Sequence, residues 1–154
     1  MTAGNEPRRA TSRWIASPLL LLAILALSPA LGVPAVAEDG KVGVELNKTE
    51  DQTGGCRLYF VLDNGVPSAF DVYKLDLVMF GPDGVIARRL AVEVGPLRPT
   101  KISVKLFDVS GLACTGIGTV LVNDVLSCKS GADERSNCID QVTVASRAKI
   151  ALTK

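Results

Sequence analysis

Two packed β-sheets in one exported domain are what the sequence predicts, and three observations predict it. Apolar and polar side chains alternate with a period of two in one stretch after another from Lys41 onward. Glycine- and proline-marked turns divide those stretches, and none of them sustains a helical period. The expected architecture is an all-β antiparallel β-sandwich of about seven strands over residues 38–154, preceded by a signal peptide over residues 1–37.

The first 37 residues have the three-part layout of an export signal. Arg8, Arg9 and Arg13 form a basic beginning, an apolar run extends from Trp14 to Leu31, and the small residues Ala35 and Ala37 place cleavage between Ala37 and Glu38. A membrane anchor needs roughly 20 apolar residues. This run is shorter and is interrupted by Pro18 and Pro29. Arg8 and Arg9 also suggest twin-arginine export, although Ala10 and Thr11 stand where that motif usually carries a hydrophobic residue. Cleavage takes three of the 17 basic and one of the 16 acidic residues, leaving a net charge near −1. A nucleic-acid binder is thereby excluded, because phosphate backbones demand a strong basic excess. The remaining chain fits a single domain with one core.

Each strand is justified in turn by its alternation. In "KVGVELNK", Val42, Val44 and Leu46 face one side, with Lys41, Glu45 and Asn47 on the other. "CRLYFVLD" turns Cys56, Leu58, Phe60 and Leu62 inward. Between Phe70 and Phe80 the inner set is Tyr73, Leu75, Leu77 and Met79, with Lys74 and Asp76 outward. "GPDG" then supplies a preset φ at Pro82, a backbone-bonding side chain at Asp83 and a tolerated positive φ at Gly84, so the next strand returns as a hairpin. In that strand Ile86, Leu90, Val92 and Val94 share a face with Arg88, and Arg89 points away. After the interruption "GPLRPT", the segment "KISVKLF" is expected to bury Ile102, Val104 and Leu106. "GIGTVLVNDVLSC" supplies a further strand, one turn of helix is expected near Ser136 to Gln141, and "VASRAKIALTK" closes the fold with Ala148, Ile150 and Leu152 inside.

All four cysteines, Cys56, Cys114, Cys128 and Cys138, fall in the exported part, which reads as two disulfides in an oxidising compartment. Of the three possible pairings, the preferred one joins Cys128 to Cys138 across "KSGADERSN" and Cys56 to Cys114, each bond stabilising by roughly 2 to 4 kcal/mol. No Cys-x-x-Cys spacing and no histidine support a zinc site or a redox pair.

Other chemistry is sparse. Asp71 and Asp76 lie five apart on a strand and face opposite sides, so they read as solvated charges rather than an acid-base pair. "GPDG" and "GLACTGIG" lack the lysine and hydroxyl of a phosphate loop. Asp63, Asn64, Asp83 and Asp124 have no calcium-loop spacing. Ser103 and Lys105 share a strand face, yet nothing nearby would lower a lysine pKa. Arg88 reads as an amphipathic side chain over the sheet edge, with pairing to Asp76 across the hairpin as its alternative. Asn47-Lys48-Thr49 fits a glycosylation sequon that is normally idle in a bacterial protein.

"FDVYKLDLVMFGPDGVIARRLAVEVGPLRPTKISVKLFDV" resembles bacterial extracytoplasmic immunoglobulin-like modules of the FxLYD type. In those modules a strand ending in an aromatic or acidic residue meets a D-x-x-G turn, and an L-x-P-G stretch precedes a strand ending in phenylalanine. Pro99-Thr100 stands here in place of Pro-Gly. The order of export signal, "LNK", cysteine, "LDLVMF", "ARRLAVE", "SVKLFD" and "NDVLSC" is also similar to exported Gram-negative proteins labelled as twin-arginine signal sequence domain proteins. The resemblance implies an extracytoplasmic compartment and an immunoglobulin-like sandwich, and it carries no functional residues. The expected function is a periplasmic, non-enzymatic protein-interaction or envelope accessory module whose partner is another envelope protein. It uses no cofactor, and its membrane contact is limited to the signal before cleavage. The alternative is a small-molecule or glycan binder using the loops at one end of the sandwich. With Trp14 lost, only Tyr59, Tyr73 and four phenylalanines remain for stacking on sugars.

Overall fold

The computed structural model describes residues 40–154; the expected signal peptide, its Ala37–Glu38 cleavage site and the Arg8–Arg9 pair lie outside the described residues. Nine strands follow one another: β1 (Val42–Gln52), β2 (Gly55–Asn64), β3 (Val72–Phe80), β4 (Ile86–Glu93), β5 (Lys101–Ser110), β6 (Thr119–Ser130), β7 (Asp133–Glu134), β8 (Val142–Ser146) and β9 (Ala151–Thr153). Single 3-10 turns occupy Cys114–Gly116 and Cys138–Gln141. One sheet has the order β5-β2-β1-β8, the other β4-β3-β6-β7, with β9 also on β6. The all-β sandwich is as expected.

The core is built from the alternation. Val42, Val44 and Leu46 of β1, the four inward residues of β2 and Tyr73, Leu75, Leu77 and Met79 of β3 are all buried between the sheets. Phe70 packs edge-on against Tyr73 with ring centroids 5.0 Å apart, and burying an aromatic or aliphatic side chain of this size contributes about 1.5–3 kcal/mol. The Tyr73 hydroxyl has no hydrogen-bond partner among the described residues, and burial pushes its phenol well above the usual tyrosine range.

The β3–β4 hairpin forms as its turn chemistry requires. Gly84 has φ +78°, its N–H donates to Gly81 O, and the Val85 N–H donates to Asp83 Oδ1 at 3.0 Å.

The C-terminal segment differs from the expected single strand. β8 pairs parallel to β1, and β9 pairs parallel to β6 in the opposite sheet. The chain changes sheets between them, where Ser146 Oγ donates to Ile150 O at 2.6 Å and Ile150 turns into the core. One continuous strand would have left that buried isoleucine and Leu152 on a single sheet. Crossing lets both help to close the gap between the two layers.

Both disulfides join the expected cysteines. Cys56 of β2 bonds Cys114 with Cα atoms 4.8 Å apart, and Cys128 of β6 bonds Cys138 with Cα atoms 6.6 Å apart. Among the described residues no cysteine is free.

Asp76 corrects the sequence reading. It is 2% exposed rather than solvated, and it accepts two hydrogen bonds from Arg89 and one from Asn123 Nδ2 at 2.7 Å. The β6 register shifts opposite Asp76 and Leu77, leaving Asn123 as an extra residue that reaches the carboxylate. Arg89 holds the Asp76 carboxyl below its usual range, against the opposing effect of burial. Glu45, expected outward, is also buried and accepts from Arg147 Nε at 3.0 Å.

Candidate interaction surface

The sharpest departure from the alternation rule lies on β5. Ile102, Val104 and Leu106, expected in the core, are 61%, 57% and 47% exposed. The pairing with β2 explains the inversion, because Leu58 lies opposite Phe107 and Cys56 opposite Val109, which puts Phe107 and Val109 on the inner face. Phe107 rests on Phe60 at 6.1 Å between ring centroids, and Val109 is fully covered. A period of two separates the faces of a strand without stating which is inner. The signal that identifies the inner face is the larger Phe107 and the following Val109, both in the opposite phase to Ile102.

The inner face also takes Ser103 and Lys105. Lys105 Nζ donates to Gly95 O at 2.9 Å, so this ammonium is committed to a backbone carbonyl.

On the outer face, β5 and β2 present one continuous strip. Val104 lies opposite Val61, Leu106 opposite Tyr59 and Asp108 opposite Arg57. Arg57 clasps Asp108 with two hydrogen bonds of 2.7 and 2.9 Å, which holds the Asp108 carboxyl below its usual range. Beyond Tyr59, its hydroxyl donates to Glu50 at 3.1 Å, and Lys48 sits 5.1 Å above its ring. Aliphatic side chains are thus bordered by paired charges, the arrangement of an apolar contact patch with a polar rim.

β5 is moreover an edge strand, paired among the described residues only with β2. Gly111 N–H donates to Gly54 O, and antiparallel ladders alternate residue by residue. The odd-numbered residues of β5 therefore bond to β2, and the backbone N–H and C=O groups of Ile102, Val104, Leu106 and Asp108 face the open edge. The edge is closed at its far end, where Arg88 Nη2 donates to Ser110 O at 2.8 Å. Arg88 is exposed, as the amphipathic reading expects, and it does not pair with Asp76, since Arg89, on the same face as Asp76, has the carboxylate. Its exposed head ties the rim of one sheet to the rim of the other.

The comparisons with known proteins bear on the fold. A solved structure of IRMA from Escherichia coli is similar to this chain, with a TM-score of 0.55, 14% sequence identity, and coverage of 68% of this chain and 90% of that one. The likeness lies in the sandwich. No protein-family model and no curated protein matches the sequence.

The remaining candidates are placed apart. Asp71 accepts from the Gly131 N–H at 2.7 Å, away from Asp76 and its partners. Asn64 is fully buried and joins two loops: its Nδ2 donates to Ser68 O in the β2–β3 connection and to Arg98 O in the β4–β5 connection at 2.9 and 3.1 Å, and its Oδ1 accepts from Val66 N–H. Asp83 and Asp124 each accept a backbone N–H close by in sequence. Among the described residues no three His, Cys, Asp or Glu gather as metal ligands. At the β3–β4 turn an open depression of about 470 Å³ is lined mainly by Pro82, Val85, Ile86 and Ala87, and its one acid, Asp83, is already engaged within the turn.

Proposed function

We propose that this is an exported periplasmic β-sandwich that acts without catalysis, holding another envelope protein against the outer face of β2 and β5. The observation that carries the reading is the exposed aliphatic strip of Ile102, Val104 and Leu106 beside Val61 and Tyr59. An apolar strip of this kind in a soluble domain marks a place where another surface is covered. Two disulfides and the layout of residues 1–37 support the compartment.

The test is affinity purification from envelope extracts with the wild type and Val61→Lys. Val61 lies at the middle of the strip, opposite Glu45 on β1 and Val104 on β5, so a lysine there breaks the apolar surface and leaves the core intact. The expected result is one stoichiometric protein with the wild type and its loss with the variant. A variant that retains the same protein, or a wild type that retains none, overturns the reading.

The depression at the β3–β4 turn favours a second reading, binding of a small apolar molecule at the loop end. A metabolite that raises the melting temperature of the wild type but not of Ile86→Asp would support it.

A further inference from the structure

We infer that the β5 edge pairs with the β5 edge of a second copy of this chain, antiparallel about a twofold axis at Val104. The two four-stranded sheets then form one sheet of eight strands. This rests on the contact reading above and deepens it: the side chains of the outer face meet the envelope partner, and the backbone of the edge meets the second copy.

The two edge strands on this flank are treated differently. β4 carries Arg88, Arg89 and Glu93 and has a register irregularity between Met79 and Phe80, all of which discourage addition of a strand. Between Ile102 and Leu106, β5 has no bulge and no outward charge; its one charge there, Lys105, is turned inward and held by Gly95 O. It offers unpaired backbone groups flanked by aliphatic side chains, a template that stays soluble only when covered.

The charge pattern of β5 selects the occupant and the register. A twofold axis perpendicular to the sheet keeps both outer faces on one side, so opposed residues share a face. Centred on Val104, the pairing sets Val104 against Val104, Ile102 against Leu106 of the second copy, and Ser103 against Lys105. Every outward pair is aliphatic, and no like charges meet. Centred on Ser103, Lys101 would oppose Lys105 twice. Centred on Lys105, that lysine would oppose itself and Ile102 would oppose Asp108. Centred on Leu106, Val104 would oppose Asp108 and the ladder would need Ser110, whose carbonyl Arg88 occupies. The favoured register needs only Ile102 to Leu106, the part of the edge that is open; beyond it the Thr100 N–H is already given to Asn64 O. Lys105 does not obstruct it, because its ammonium is held on the inner face by Gly95 O.

The test is the solution mass of the protein purified from its own cells, measured by sedimentation across a range of concentrations. The expected result is twice the chain mass for the wild type, halved in Val104→Lys, which brings two ammonium groups together on the axis. Leu126→Lys, the same change at an exposed residue of β6, should leave the doubled mass intact. Val104→Pro removes only an edge-facing N–H and should halve the mass without adding charge. Circular dichroism of each variant confirms that the sandwich is retained. A wild type that sediments as a single chain, or a Val104→Lys protein that stays doubled, overturns the pairing. Val61→Lys separates the two ideas: loss of the envelope partner with the doubled mass retained leaves both standing. A monomeric wild type that still captures that partner removes the self-pairing alone.

Discussion

Arg89 reaches from β4 to the carboxylate of Asp76 on β3 and donates two hydrogen bonds of 2.8 Å, covering a charge that is 2% exposed with a guanidinium that is mostly in solvent. The pair stabilises one strand junction from the outer face. It also makes stability depend on pH. Asp76 binds its proton less readily in the folded chain than at its ordinary value of about 3.8, so the contribution is present above that value and is lost as pH falls below it.

The gap in melting temperature between the wild type and Asp76→Asn should therefore be present at pH 7 and shrink as the pH is lowered from 4 towards 2. Asp108, held low by Arg57, adds acid sensitivity to both proteins and cancels in the difference. Thermal melts at stepped pH check this, and a gap of constant size counts against it.

Asn64→Ala should destabilise by about 2–4 kcal/mol, because it strands the buried Val66 N–H and removes the donor to the carbonyls of Ser68 and Arg98 in one step. Asn64→Asp should be worse at neutral pH, since a carboxylate replaces a donor facing carbonyl oxygens. Urea unfolding of both variants gives the ordering.

The two faces of β5 should respond in opposite ways to truncation. Ile102→Ser, on the outer face, should change the stability of the single chain by no more than about 0.5 kcal/mol. Phe107→Ala, which removes the ring resting on Phe60, should cost about 2 kcal/mol. Equal costs would mean that the inner and outer faces have been exchanged.

Removing the Cys56–Cys114 bond by paired serine substitution should cost roughly 4 kcal/mol, and removing Cys128–Cys138 roughly 3 kcal/mol, on loop-closure grounds. The ordering follows from sequence separations of 58 and 10 residues. Denaturant midpoints of the two double variants measure it.

The sequence by itself determined most of the inner faces. Leu58, Phe60 and Leu62, or Leu75, Leu77 and Met79, read as the inner set because the other phase of their strands carries the charges Arg57 and Asp63, or Lys74 and Asp76. The glycine and proline positions placed the hairpin turn, and four cysteines without histidine marked the disulfides. Only the tertiary structure decided the rest. β5 carries apolar residues in both phases, so its inner face was settled by the register against β2, with Phe107 falling beside Phe60. Asp76 became buried because Asn123, an extra residue in a distant strand, arrived over it. The last segment divided between two sheets because both layers needed its apolar residues. Each of these outcomes depends on contacts between residues far apart in the chain, and local alternation contains no term for them.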